Sequence, residues 1–168
     1  MESNINQDIK IKTDNYNFKF RVSGVVIVEN KLLVTDMDNS GFFCLPGGYV
    51  ELGETTVKAI IREMKEEINK NFEVKEYLGV VENYFINKYT KKMHEISFYY
   101  LMHPKDFIDT NDFIIYEKDG EGSIKQDFKW IDLNEIDNYD IRPEFLKERL
   151  RKKDMVFNHL IINQMDRL

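Results

Sequence analysis

The chain has 168 residues, with 30 Asp or Glu against 24 Lys or Arg, a net charge of −6 and one cysteine, Cys44. That length fits a single domain that buries roughly two thirds of the surface its unfolded form exposes, and a lone cysteine rules out an intramolecular disulfide. The acidic balance and scattered cations disfavour long nucleic acid, and no apolar run reaches the roughly 18 residues of a membrane span, so the expectation is a soluble protein of the reducing cytoplasm.

In chain order, residues 1–17 are polar and lack a signal-peptide core. Residues 20–29 read as a strand, with Val22, Val25, Val26, Ile27 and Val28 in the β-branched run of a strand buried on both faces. Glu29-Asn30 marks a hairpin turn, and residues 31–36 form the returning strand. A loop carrying Asp38-Asn39-Ser40-Gly41 leads into Phe42-Phe43-Cys44-Leu45-Pro46-Gly47-Gly48, where Cys44 reads as a small buried hydrophobe. A helix is predicted over residues 55–68. Strands follow at 78–87 and 93–103, with Ile96, Phe98, Tyr100 and Met102 alternating onto the core. Residues 107–125 read as an irregular acidic loop, and 128–133 as a short strand with Trp130 in the core. Residues 143–151 form a helix with Pro at its first turn, and a last helix is expected over 154–165. Strands interleaved with helices predict an α/β or α+β sandwich. The expected division is an extension over 1–17, one domain over 18–153, and a C-terminal helix or tail over 154–168.

The helix at 55–68 carries the chemistry. At about 100° per residue, Val57, Ile60, Ile61, Met64 and Ile68 share a face that should pack on the sheet. Glu63, Glu66 and Glu67 share another, with Ala59 beside them leaving open space. Three carboxylates at i, i+3 and i+4 repel and raise one another's pKa. A solvated acidic face is one reading of such a trio; a hard divalent cation between the oxygens is the other. The flanks favour the cation. Pro46-Gly47-Gly48 allows backbone to approach a metal or phosphate closely, and Glu54 precedes the helix start, where a carboxylate suits the dipole.

This stretch resembles the Nudix box: Gly, five residues, Glu, seven residues, Arg-Glu, an aliphatic, any residue, Glu-Glu, any residue, Gly, an aliphatic. Gly48, Glu54, Arg62, Glu63, Glu66 and Glu67 occupy its fixed positions. Six identities at about 7% usage each coincide by chance on the order of once in ten million starts. Asn69 and Lys70 depart from the last two positions. Asn is the next-best residue to Gly for the left-handed turn that ends such a helix, with Phe72 supplying the missing apolar contact. Looser similarity extends over residues 20–150, through Arg21-Val22-Ser23-Gly24 and Phe128-Lys129-Trp130-Ile131.

The resemblance implies an α/β/α sandwich with a mixed central sheet and the box in a loop–helix–loop. It implies a metal-dependent pyrophosphohydrolase, cleaving the phosphoanhydride bond of a nucleoside diphosphate linked to another moiety: a (d)NTP, an oxidised nucleotide, ADP-ribose or a nucleotide sugar. Glu63, Glu66 and Glu67 would hold Mg²⁺ or Mn²⁺ with the carbonyl of Gly47, and Glu54 would be a weaker partner. Arg62 would orient the carboxylates, and Arg21 and Gly48 would face substrate phosphate. The general base stays open among Glu63, Glu121, Asp127 and Glu95. Phe42, Phe43, Tyr49 and Tyr84 stay open between stacking on a base and packing the core, and His94, His103 and His159 lack ligand spacing. The implied partner is a small nucleotide, without long nucleic acid or membrane, and a homodimer is left open. Two other classes compete. A nucleotide-sensing module without turnover usually loses box carboxylates, all of which this chain keeps. Processing of RNA 5′ ends needs a basic groove.

Overall fold

The computed structural model describes residues 7–87, 89–119 and 122–165. Inside the polar N-terminal stretch, β1 (Lys10–Lys12) pairs antiparallel with β2 (Tyr16–Val28), which starts four residues before the expected position. Glu29 and Asn30, at φ 50° and 62°, turn the chain into β3 (Lys31–Met37). Two successive left-handed residues match the twist of the flanking strands, which is why this hairpin is legible from Glu-Asn alone. The box helix, α1 (Thr56–Ile68), is followed by the antiparallel pair β4 (Phe72–Ile86) and β5 (Lys92–Pro104).

Two expectations fail after β5. Residues 107–125 are not one irregular loop: β6 (Phe113–Asp119) and β7 (Gly122–Asp132) form an antiparallel hairpin. After α2 (Phe145–Lys152), the segment expected as a last helix is β8 (Asn158–Asn163), parallel to β4. Leu160 and Ile162 pack against the core while Ile161 between them is exposed, so the short apolar run follows the period of two that a strand needs.

The strand order is β6-β7-β3-β2-β5-β4-β8, with β2–β5 and β4–β8 parallel and the other pairs antiparallel, so the sheet is mixed. One face packs Val22, Val26, Leu33, Tyr100, Met102, Phe128 and Trp130 against Ile60, Met64 and Ile68 of α1. The other packs Val25, Leu32, Val34, Tyr99 and Ile131 against Leu146 and Leu150 of α2. Helices on both faces complete the expected sandwich, and no helix among the described residues is long and apolar enough to cross a membrane.

The buried face of α1 is rotated from the expected one. Ala59, Ile60, Met64, Glu67 and Ile68 are buried, whereas Val57 and Ile61 are 42% and 38% exposed. The cause is close approach. Gly24 in β2 lies so near the helix that an added Cβ would stand 3.0 Å from Met64 Sδ and 3.4 Å from Ile60 Cδ1, and Ala59 offers no bulk to hold the elements apart. Ile60, Met64 and Ile68 each contribute roughly 1.5–3 kcal/mol of burial, and that seating carries Glu67 beneath the helix with them. Ala59 therefore opens no space beside the acids.

The strands β2 and β3 pair only at Ile27–Leu32 and Val28–Lys31, then separate. Residues 43–50 fill the gap. On one side, Thr35 and Cys44 exchange both backbone bonds, at 2.8 and 2.9 Å. On the other, Val22 N–H donates to Gly48 O, Gly24 N–H to Pro46 O, and Val50 N–H to Phe20 O, at 2.9, 2.9 and 3.0 Å. The segment that carries Gly47 and Gly48 is thus fixed in the plane of the sheet, between its two helical layers.

Candidate functional site

Helix α1 starts at the N-cap Thr55, whose Oγ1 accepts from the Lys58 N–H at 3.3 Å. It ends at Asn69, left-handed at φ 55°, whose N–H donates to Lys65 O. Phe72 is buried with Ile68 in the same core cluster, as expected for the substituted cap. These ends fix the register that points Glu63 and Glu67 toward residues 43–50 and leaves Glu66 exposed beside Arg62.

Glu67 is 6% exposed. Its Oε2 accepts from the Gly47 N–H at 2.9 Å and its Oε1 from Gln126 Nε2 at 3.0 Å. Burial pushes its pKa up to about 7; the Gln126 and Gly47 hydrogen bonds oppose that rise, and nearby Glu63 adds to it. Burial also raises Glu63, against the pull of Arg62.

The two glycines of the turn are constrained differently. Gly47 has φ 145°, and a Cβ there would meet Val22 O at 2.2 Å. A Cβ on Gly48 would lie 2.2 Å from Glu63 Oε2, so the Glu63 carboxylate rests directly on the backbone of Gly48.

Arg62 is the hub. Its Nε and Nη2 grip both oxygens of Glu54 at 2.9 Å, and Nη2 also donates to Tyr49 O at 2.9 Å. Nη1 donates to Glu63 Oε1 at 2.8 Å and Glu66 Oε2 at 3.1 Å, while Glu51 lies 3.8 Å from Nε. The bidentate bond to Glu54 is the main reason that the guanidinium is held above its ordinary pKa and Glu54 below its own. Arg62 thus bonds Glu54, Glu63 and Glu66 and supplies a positive charge among Glu51, Glu54, Glu63 and Glu66.

Arg21 approaches Gly47 from the α2 side. Its Nη2 donates to Gly47 O at 3.3 Å, its Nη1 stands 3.7 Å from Glu95, and Nε is buried without a partner. Despite burial, its charge is favoured, chiefly by Glu95. Glu95 is thereby tied to the rear of the glycine turn. Asp127 is not: it follows Gln126 on β7 and so points to the opposite face, paired with Lys125 at 2.6 Å. Glu121 lies outside the described residues.

The aromatic residues already have neighbours. Tyr84 stacks on His94 at 4.4 Å, Phe43 meets the Tyr139 edge, Arg142 lies over Phe42, and Lys10, Lys19 and Arg21 surround Tyr49. His159 bonds Glu82 at 2.7 Å, away from the box. Burial raises the Cys44 thiol, which argues against a nucleophile.

The donor set fits a hard divalent cation: clustered carboxylate oxygens, with Glu67 buried and Glu63 half-buried, beside the Gly47 carbonyl, which also accepts from Arg21. As they stand, no three acidic, His or Cys side chains among the described residues converge on one point. Glu63 and Glu66 both turn to Arg62 Nη1 instead. Glu51 and Gln126 join the site unannounced by the box. Continuing the alternation of Trp130 and Phe128 back by two places marks Gln126 as inward-facing.

A family model described as the NUDIX domain matches residues 18–152. An ADP-ribose pyrophosphatase of Methanocaldococcus jannaschii is 45% identical over 62 residues, 35% of this chain and 37% of that protein. A MutT-like protein of Streptomyces ambofaciens is 41% identical over 63 residues, 37% of this chain and 41% of that protein. The chain thus spans well under half the length of each relative. Among solved structures, a NUDIX hydrolase from Nitrosomonas europaea superposes with a TM-score of 0.57 at 23% identity, covering 91% of this chain and 82% of that one. The match establishes a shared fold.

Proposed function

Because the chain belongs to the NUDIX family, whose members generally depend on divalent metal, we propose that it is a pyrophosphohydrolase acting on a small nucleoside diphosphate derivative. The observation that carries this is the gathering of Glu51, Glu54, Glu63, Glu66 and Glu67 around one arginine and the Gly47-Gly48 turn. Five carboxylates against one central guanidinium leave a surplus of negative charge that a phosphate-binding site must offset.

Glu63, Glu66 and Glu67, with the Gly47 carbonyl, would hold Mg²⁺ or Mn²⁺. Such an ion offsets charge on phosphate oxygens and makes water more acidic. The chain's own groups divide the remaining work. Arg62 keeps Glu54, Glu63 and Glu66 from swinging apart, so the oxygens stay preorganised. Glu63, which sits against Gly48, is the first candidate among the box acids to take the proton of the attacking water. Arg21, on the far side of Gly47, supplies a buried positive charge behind the turn that favours phosphate at the site. Attack in line at phosphorus then needs positioning and charge stabilisation rather than covalent chemistry from the protein.

ADP-ribose is the first substrate to test, from the name of the Methanocaldococcus jannaschii relative. Nucleoside triphosphates, oxidised purine triphosphates and nucleotide sugars follow. The assay is release of AMP or phosphate with Mg²⁺ or Mn²⁺, and again in excess chelator. Turnover of one class that disappears on chelation is expected. Tight binding of a nucleotide without turnover of any would replace the enzyme with a sensing module.

A further inference from the structure

Gln126 lies outside the box, yet it touches the most buried of its carboxylates. It stands in β7 opposite Met37 of β3, on the face that α1 covers, and is 2% exposed. An amide buried among apolar neighbours is unfavourable unless both ends are bonded. Only one end is: Nε2 donates to Glu67 Oε1, whereas Oε1 of the glutamine is buried with no hydrogen-bond partner. A methionine would fill similar volume without stranding an acceptor. The glutamine is explained by its donor.

Glu67 needs such a donor because, among the described residues, no ion pair reaches it; Arg62 holds Glu54, Glu63 and Glu66 instead. Two neutral donors fix it, the Gly47 N–H from the loop on Oε2 and Gln126 from the sheet on Oε1. Donors on both oxygens set the plane of the carboxylate and leave each oxygen a further lone pair. We infer that Gln126 is a positioning residue for the cation site: it holds Glu67 in a ligating orientation from outside the ligand set. This rests on Glu67 being a ligand, as proposed above. Partners that hydrogen-bond a ligating group typically change metal affinity about 10- to 100-fold when lost.

The test is Mn²⁺ binding to the full chain by calorimetry, for the wild type and Gln126→Met. The expected result is Mn²⁺ binding at least about tenfold weaker in the variant, with a cooperative fold retained in chelator and turnover restored by raising Mn²⁺. Binding by Gln126→Met at wild-type affinity overturns the positioning role alone. Absence of binding by the wild type removes the proposed function, and this inference with it. Should Gln126→Met fail to fold, the side-chain amide resonance of Gln126 in the wild type decides. A shift on titration with Mg²⁺ supports the role, and an unmoved resonance overturns it.

Discussion

Replacing Glu67 with Gln should make the metal-free protein more stable at neutral pH while abolishing its chemistry. The Glu67 carboxyl has a folded-state pKa of about 7 against an ordinary 4.5. Between those values the native state keeps a proton that the unfolded chain has released, so stability falls as pH rises through that window. Below about 4.5 the penalty vanishes, and above about 7 it is complete. A displacement of about 2.5 pH units, at 1.36 kcal/mol each, puts the full penalty at about 3 kcal/mol. Glutamine removes the buried charge but turns one donor toward the Gly47 or Gln126 N–H, which returns about 1–2 kcal/mol of that gain. Urea unfolding in chelator is the assay, from pH 5 to pH 8. Wild type should lose stability relative to Glu67→Gln by about 2.5 kcal/mol across that range, with the variant the more stable at pH 8. Parallel curves would show that Glu67 ionises at an ordinary pH, and the argument from burial would be wrong. Turnover by the variant should drop by orders of magnitude at every pH.

Three further perturbations separate the parts of the site. Gly48→Ala places a methyl 2.2 Å from Glu63 Oε2; the flexible carboxylate must swing away, so turnover should fall at least about 100-fold with a near-normal melting temperature. Asp127→Asn should leave turnover within about twofold, because Asp127 faces away from Glu67; a collapse of kcat would place the base there. Asn69→Gly should raise stability by a few tenths of a kcal/mol, because Asn69 already sits at φ 55°; measurable destabilisation would mean that its side chain, not its backbone, holds the cap.

What was legible in the sequence was what local chemistry decides. The Glu29-Asn30 hairpin, the caps of α1 at Thr55 and Asn69, and the spacing of Glu54, Arg62, Glu63, Glu66 and Glu67 all depend on near neighbours. β8 escaped because its partner, β4, is remote in sequence; the β6–β7 hairpin pairs locally, but its turn falls within a charged run that reads as loop rather than between apolar strands. A run such as Leu160-Ile161-Ile162 suits a helix or a strand until its partner, β4, is known. The wheel of α1 failed for a related reason. Apolar residues covered too wide an arc to fix which edge is buried, and Gly24, more than 30 positions away, settled it. Gln126 was hidden by the missed strand, and Arg62's grip on four acids was only half visible, because Glu51 and Glu54 reach it from the preceding loop.

Residues 43–50 are a connection by topology and an interior strand by their bonds. An insertion among them would break pairing along two borders at once, whereas residues 38–41, with Ser40 bonded to Met37 and Asp36 nearby, can lengthen outward without disturbing either border. Diversification of ligand preference on this scaffold is therefore channelled into the tip of that connection and into the loops beyond the strand ends. The stretch bearing the glycine pair is left least room to change in length.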